Sequence, residues 1–577
     1  MITLPPVISR WQALSRGQRA VVLSLLAASA LWIVLLAQMW WQPITADDRL
    51  VYVSAVTWPA IPGPLHPPLY IYSVRLSFLL FGESVSSARL PGVLSGFITL
   101  FLIPAVVTLV LGQSEQANWT ATLAVWLYAL SPQAVQNMMF IDIDTAFLTV
   151  ALLGLVWLWL EVEPRPPWQR IILLGLGFAL TLWVKLLSPF LTMGAMCLFY
   201  LLQGKFLRFL ETFIASVLGG VVFWITFQTN IASQYAFGYT GGYMSRLNIF
   251  DLGNLRYMAT IFPQGAGVVT LWLSIPVVIL IGMALANSVG RWLRRKVSVL
   301  DEFLLYGGGS VLAYTLVIYP AWGYPRYQAP FIPILIILAA VVLAPALAQM
   351  SWSAWKVLAG IAILCFVFNL RVVGDPLLSL YLLTFETTTG QVTARLQQGI
   401  VNAARAATLI PVALLIGFWL APRLRIARSA MLLAVVGVLA FTSLASTTLV
   451  QVNARYSTRY RYGYNWDDMQ QAAQRVREHV GPTGYIAAID DFLFYTGLDG
   501  EGIYGLRARQ NFMGKPSISL LELMHERRID ALVWTTKDVT RNPTAIQEIE
   551  PILKECYDRE TYGVFIVYLR RPGATWP

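Results

Sequence analysis

Several short stretches of this chain place ionisable side chains in an otherwise apolar sequence. Asp47–Asp48 follow the first apolar run, and His66 stands before Pro67–Pro68. Arg89 lies in Ala88–Arg89–Leu90–Pro91–Gly92, and Asp142–Ile143–Asp144 precede another apolar run. Lys185 interrupts a run of its own, and Arg326 and Tyr327 belong to Tyr324–Pro325–Arg326–Tyr327. A carboxylate can take the proton of an attacking hydroxyl, and cations can stabilise the charge on a departing phosphate. Together these residue types suit group transfer from a phosphate-linked donor. Each alone has a plainer reading. Acids are favoured at helix N-termini by the macrodipole, long cations anchor helix ends by snorkelling, and paired prolines set the entry to a helix. The other histidines, His479 and His525, sit on predicted polar helices and have no such company.

The elements that must position these residues are apolar helices. Of the 577 residues, 57% are hydrophobic and only 12% charged, about half the charge of an ordinary soluble domain. Apolar runs of about 20 residues, enough to cross a bilayer, recur along the chain. Their number is about thirteen, centred near Leu31, Leu100, Ala124, Leu153, Leu176, Met196, Val217, Ile275, Val311, Leu335, Ile361, Leu414 and Val436. The run at Val21–Trp41 is long enough to span and reads as an uncleaved first helix. The 21 Trp and 25 Tyr suit two membrane–water interfaces.

The net charge of +11 does not call for nucleic acid, because the basic residues fall in short loops where they orient helices. Arg10, Arg16, Arg19, Arg165, Arg170, Lys205, Arg208, Arg291, Lys356 and Arg423 all take the cytoplasmic side in the resulting topology. Asp47, Asp142, Lys185 and Arg326 then share the outer side. Longer outer segments are expected at Gln42–Leu90, Gln228–Pro263 and Asn369–Thr408. Cys197, Cys365 and Cys556 have no spacing that suggests a metal site or a disulfide framework.

After about Gln451 the composition changes. Asn465 can cap a helix running to Val480 with Gly481 beyond its end. β-like runs follow at Tyr485–Ile489, Ala531–Trp534 and Val564–Leu569, with a helical stretch at Ser519–Arg528 between them. The expected fold class is an α-helical polytopic membrane protein with a small C-terminal extracytoplasmic α/β domain, divided as residues 1–450 and 451–577.

Four stretches in order resemble the GT-C membrane glycosyltransferases, in the branch of the protein O-mannosyltransferases and lipid A aminoarabinose transferases. They follow Asp47–Asp48 and are HPPLYIYSVRLSFLLFGESVSSARLPGVLSG (His66 to Gly96), FIDIDTAFLTVALL (Phe140 to Leu153), GFALTLWVKLLSPF (Gly177 to Phe190) and YPRYQAPFIPILIILAA (Tyr324 to Ala340). The resemblance spans roughly the first 345 residues. It implies an inverting transfer of a sugar from a polyprenyl-phosphate donor to a lipid, glycan or protein acceptor on the outer face of the membrane. It implies a first-loop acid as catalytic base, which is Asp47 or, since the family often has Asp-Glu here, Asp48. Asp144 or Asp142 supplies a second acid for the acceptor or a metal. His66, Lys185 and Arg326 match positions near the donor phosphate, with Tyr327 beside them and Arg89 in the motif. Some relatives bind a divalent cation and others need none, so a metal at Asp47 and Asp144 stays open. A bacterial cytoplasmic membrane is the expected location, with the active site and C-terminal domain outside. A lipid or sugar-lipid transporter is the competing reading. It fits less well because transporters carry internal repeats and midplane charges, whereas here repeats are not apparent and the charges cluster at one face.

Overall fold

The computed structural model describes residues 13–40, 51–52, 54–56, 67–228, 251–317, 325–372, 412–452, 466–481, 484–489, 492–493, 496, 498, 500–502, 520–526, 528–536 and 543–574. The chain falls into two compact units, Met1–Trp40 with Pro64–Asn453, and Trp41–Gly63 with Ala454–Pro577. The expected outer loop at 373–408 and the cap at Asn465 lie outside the described residues.

The first unit is helical. In chain order its helices are α1 (Arg16–Met39), α2 (Leu69–Phe81), α3 (Val85–Leu111), α4 (Glu115–Ala129), α5 (Pro132–Met139), α6 (Ala146–Val162), α7 (Pro167–Leu182) and α8 (Leu187–Leu202). They continue as α9 (Phe206–Gln228), α10 (Leu252–Leu273), α11 (Ile275–Leu293), α12 (Val299–Phe303), α13 (Gly309–Val317), α14 (Ile332–Ala348), α15 (Trp352–Val372) and α16 (Arg428–Val452). A π turn at Leu304–Gly308 joins α12 to α13, and a 3-10 turn at Ala329–Phe331 leads into α14. Residues 412–420 are also helical. Among the described residues six helices are long and apolar enough to cross a membrane, and five shorter apolar helices accompany them. α6, with 17 residues, is about 26 Å long, slightly less than a hydrocarbon core of about 30 Å.

Local signals explain several helix ends. Ser15 opens α1 through a capping box with Gln18. Between α2 and α3, Gly82 takes φ +82°, a conformation few other residues tolerate, and the Ser84 hydroxyl accepts the Ser87 amide at 3.0 Å. The Phe-Gly-Glu-Ser piece of the first resembling stretch is thus a stop-and-start signal between two helices. The Lys185 interruption separates two helices, because residues 183–186 turn between α7 and α8.

The structure corrects three expectations. The Gln42–Leu90 segment contains the whole apolar helix α2, whose 13 residues are fewer than the roughly 20 that cross a bilayer. The run near Ile275 is two helices, α10 and α11, broken at Ser274 with φ +66°. Pro276 in the first turn of α11 explains the break, since it has no amide to continue the ladder. The outer segment expected to reach Pro263 therefore already holds the first half of α10.

α14 is the central helix, buried along most of its length and packed against α4, α11 and α16. α3 packs on α6, α1 on α4 and α7 on α9. The α7–α9 crossing rests on small residues at four-residue spacing, Gly175 and Ala179 on one side and Ala215 and Gly219 on the other. A Cβ on Gly175 would stand 3.1 Å from the Ala215 carbonyl, and one on Gly219 would stand 3.0 Å from the Phe178 ring and 3.2 Å from the Ala179 amide. Backbones that approach this closely are how apolar helices gain packing energy in lipid.

The second unit has helix α17 (Trp466–Val480), strand β1 (Ile486–Ala488), strand β2 (Glu501–Gly502), helix α18 (Leu520–Glu526), strand β3 (Ala531–Thr535), helix α19 (Pro543–Cys556) and strands β4 (Tyr557–Tyr562) and β5 (Phe565–Arg570). The sheet order is β2-β1-β3-β5-β4, parallel across β2, β1 and β3 and antiparallel across β3, β5 and β4. Its core joins Met469, Ala473 and Val476 of α17 to Ile486, Val533, Val567 and Leu553. Gly481, φ +66°, ends α17 as its position suggests. β4 has no apolar alternation because Asp558, Arg559 and Glu560 make it a polar edge. It is held by its hairpin with β5, where Gly563 supplies a positive φ in a two-residue turn. Arg475 of α17 donates to Glu560 of β4 at 2.8 and 3.0 Å. This hydrogen bond holds the Glu560 carboxyl below the usual carboxylate range.

Gly219→Leu is expected to destabilise the helical unit by about 2 kcal/mol through overpacking, read as a lower melting midpoint in detergent. The depressed Glu560 value means that the Arg475 pair contributes stability above the unfolded carboxylate pKa of about 4.3 and loses it as pH falls further. Glu560→Gln should therefore speed amide exchange of β4, after correction for intrinsic rates, at neutral pH, and the difference from the parent should shrink as pH falls below about 4.3 and vanish once the folded carboxyl is itself protonated.

Candidate active site

α6, the α7–α8 turn and the turn before α14 bring five of the expected site residues together. Asp144, just before α6, accepts a hydrogen bond from the Lys185 ammonium of the α7–α8 turn. Asp142 pairs with Arg326 at 3.2 Å. Tyr327 lies between the two cations, with its ring centroid 4.7 Å from Lys185 Nζ and 4.7 Å from Arg326 Cζ. Arg326 Nη2 also donates to the Tyr327 hydroxyl at 2.7 Å. Asp142 is 8%, Asp144 2%, Lys185 7% and Tyr327 7% exposed, so these charges work in a medium of low polarity and must neutralise one another.

Local chemistry holds the acids in place. The Thr145 hydroxyl donates to the Asp142 carbonyl at 2.6 Å, which tightens the turn that presents both carboxylates. Pro325 starts the turn on the other side, where the Gln328 and Ala329 amides donate to its carbonyl at 3.1 and 2.9 Å. Gln328 Nε2 further donates to the Thr315 hydroxyl on α13 at 3.3 Å. Two tyrosines stack here: Tyr314 of α13 is parallel to Tyr327, with centroids 6.0 Å apart and planes at 9°. The Tyr314 and Ser188 hydroxyls share a hydrogen bond of 2.6 Å. The sequence reading did not single out Tyr314, Thr145 or Gln328. They are uncharged, and nothing in their spacing separates them from other helix residues.

Arg89 is completely buried and donates to the Trp40 carbonyl, while Trp40 Nε1 donates to Ser86 at 2.8 Å. It thereby ties the end of α1 to the first turns of α3. Asp47, Asp48 and His66 lie outside the described residues.

A second charged group occupies the opposite end of α6–α9. Arg170 of α7 holds Glu211 of α9 with donors at 2.7–2.9 Å. Arg208 reaches Glu211 at 3.2 Å and Glu163 at 3.5 Å, and the Tyr200 hydroxyl donates to Glu163 at 2.7 Å. Arg170 and Arg208, two of the basic residues expected on one side, thus meet there, a full α6 length from Asp142 and Asp144.

Residues 65–232 match the model of the dolichyl-phosphate-mannose-protein mannosyltransferase family. The fold is similar to that of ArnT from Cupriavidus metallidurans in the apo state, with 15% identity, a TM-score of 0.54 and coverage of 96% of this chain and 99% of that one. The structure of the same protein bound to undecaprenyl phosphate matches with the same identity and coverage and a TM-score of 0.51. The chain therefore has a membrane fold of the GT-C type. Comparison with curated proteins by sequence gives no match.

A divalent ion at Asp144 would have to compete with the ammonium that its carboxylate already holds. Among the described residues no group of three His, Cys, Asp or Glu side chains comes together to hold a metal.

Removing one partner of a buried ion pair leaves an uncompensated charge, so Lys185→Met should destabilise the protein by about 3–5 kcal/mol. Asp144→Asn together with Lys185→Met should recover much of the loss, as measured by thermal unfolding in detergent.

Proposed function

We propose that this enzyme transfers a sugar from a polyprenyl-phosphate donor to an acceptor hydroxyl, with inversion at the anomeric carbon, on the outer face of a bacterial cytoplasmic membrane. The observation that carries the reading is the buried cluster of Lys185, Arg326, Tyr327, Asp142 and Asp144 within a GT-C fold. The solved structure of ArnT with undecaprenyl phosphate supports a polyprenyl phosphate as the donor's lipid part.

The chemistry follows from the charges. The acceptor oxygen attacks the anomeric carbon from the side opposite the phosphate, and a first-loop carboxylate, Asp47 or Asp48, takes its proton. The carbon–oxygen bond to phosphate breaks, and its electron pair leaves on the phosphate. Lys185 and Arg326 stabilise that growing charge. Both are held in place beforehand by their carboxylate partners and by the Tyr327 ring, so little reorganisation is needed as charge develops. An ammonium has three donors and a guanidinium five, so pairing with one carboxylate leaves capacity for phosphate oxygens. Asp142 and Asp144 keep two like charges close together while no phosphate is bound. His66 before its two prolines is assigned to the same phosphate, and Arg89 to the frame of the site. The acceptor is a lipid, glycan or protein, and the C-terminal α/β unit is assigned to its recognition.

The test uses purified protein in nanodiscs with a panel of labelled polyprenyl-phosphate sugars. One donor should bind and turn over. Arg326→Ala should weaken donor binding about 10- to 100-fold, the loss expected when a hydrogen-bonded charge contact is removed. Asp47→Asn should bind the donor normally while transfer is abolished. Turnover retained in both Asp47→Asn and Asp48→Asn would sink the mechanism, and a folded protein that binds no member of the panel would return weight to transport.

A further inference from the structure

The phosphate-facing cations are joined by a single aromatic ring, and that ring has its own support. Tyr327 contacts both Lys185 and Arg326. On α13, Tyr314 lies parallel to it at 6.0 Å. The Tyr314 hydroxyl is hydrogen-bonded at 2.6 Å to Ser188, in the first turn of α8 and three residues after Lys185. The contacts close into a ring: Lys185 to Tyr327, Tyr327 to Tyr314, Tyr314 to Ser188, and Ser188 back along the chain to Lys185. Tyr314 and Ser188 are buried, as is Tyr327. Phe331 packs tilted against Tyr314 at 5.8 Å, which adds a second apolar surface to the same ring.

We propose that Tyr314 and Ser188 are positioning residues of the transfer site, acting through Tyr327 to fix the separation and direction of Lys185 and Arg326. The inference rests on the reading of this cluster as the donor-phosphate site. The physical reason is electrostatic. Lys185 and Arg326 repel one another, and a ring that attracts both over its face must stay put to hold them in register. Tyr327 sits in the short turn that precedes the 3-10 turn at Ala329–Phe331, and a turn is a poorer anchor for a ring than a helix. Tyr314 comes from a helix and is fixed at both ends of its side chain, so it supplies the rigidity that the turn lacks. The hydroxyl bond to Ser188 also couples the ring to the backbone segment that carries Lys185. The bond therefore resists a shift of α13 relative to α8, which would displace the ring from Lys185. The further contact from Gln328 to Thr315, the residue after Tyr314, sets the height of α13 against the same turn.

The experiment compares the full chain with Tyr314→Phe, Tyr314→Leu, Ser188→Ala, Tyr327→Leu and the double variant Tyr314→Leu/Tyr327→Leu in nanodiscs. It reads polyprenyl-phosphate binding, donor KM, kcat and the melting midpoint. Tyr314→Leu should weaken lipid-phosphate binding about 3- to 10-fold, the range of an aromatic pair, and raise donor KM more than it lowers kcat. Tyr314→Phe, which keeps the stack but loses the Ser188 bond, should weaken binding about twofold, less than Tyr314→Leu, and Ser188→Ala should match it. The double variant should bind no worse than Tyr327→Leu alone, because the two residues act in series. Unchanged binding in a folded Tyr314→Leu protein, or losses that add in the double variant, would overturn the positioning role. A parent protein that binds no polyprenyl phosphate would overturn the donor-site reading itself and this role with it.

Discussion

Opposite charges cannot be left alone among apolar helices, and this constraint organises the membrane unit. An isolated charge taken out of water costs several kcal/mol even after relaxation, so Asp142, Asp144, Lys185 and Arg326 are held as two pairs with no net charge. Asp144 and Lys185 are 41 residues apart in sequence, and Asp142 and Arg326 are 184 apart. Satisfying both pairs requires the start of α6, the α7–α8 turn and the turn before α14 to meet at one end of the helix set. The apolar bodies between those points are free to repack within limits, but the charged ends are not.

The same rule acts at the far end of α6–α9. Arg170, Arg208, Glu163 and Glu211 balance one another there, and Arg291 closes on Asp301 and Ser288 between α11 and α12. α6, about 26 Å long, therefore carries neutralised polar groups at both ends and apolar surface between. The middle is held by shape rather than charge, with α14 buried among its neighbours and α7 lying close against α9 through Gly175 and Gly219. The Asp142–Arg326 and Asp144–Lys185 pairs sit at the more enclosed end, where electrostatic interactions are stronger for want of water. On the proposed reading, the same enclosure that makes the charges costly makes them effective on a phosphate.

The cation pair also shows how an apolar fold can hold like charges near one another. Carboxylates neutralise Lys185 and Arg326, and both cations rest against one aromatic ring. An aromatic face does this without adding negative charge that an incoming phosphate would have to repel. Tyr314 and Ser188 then transmit the rigidity of α13 and α8 to a ring that its own turn holds loosely.

Sequence by itself determined the class of the protein. A low charge fraction and repeated apolar runs leave a membrane as the only solvent that suits them, and helices are the structures that satisfy backbone groups there. It also singled out Asp142, Asp144, Lys185 and Arg326, which the fold brings together, because charged residues stand out in apolar runs. The strands β1, β3 and β5 were readable for the converse reason, being short apolar runs in a polar tail. The polar edge strand β4 was not readable, since its pairing with β5 rather than its composition makes it a strand. Nor was the break at Ser274, where uninterrupted hydropathy conceals a backbone that changes direction. Only the tertiary structure decided which acid meets which base, and that Tyr327 joins the two cations with Tyr314 behind it. Such contacts link segments far apart in the chain, and neutral side chains like Tyr314 and Ser188 acquire a role only from what lies beside them.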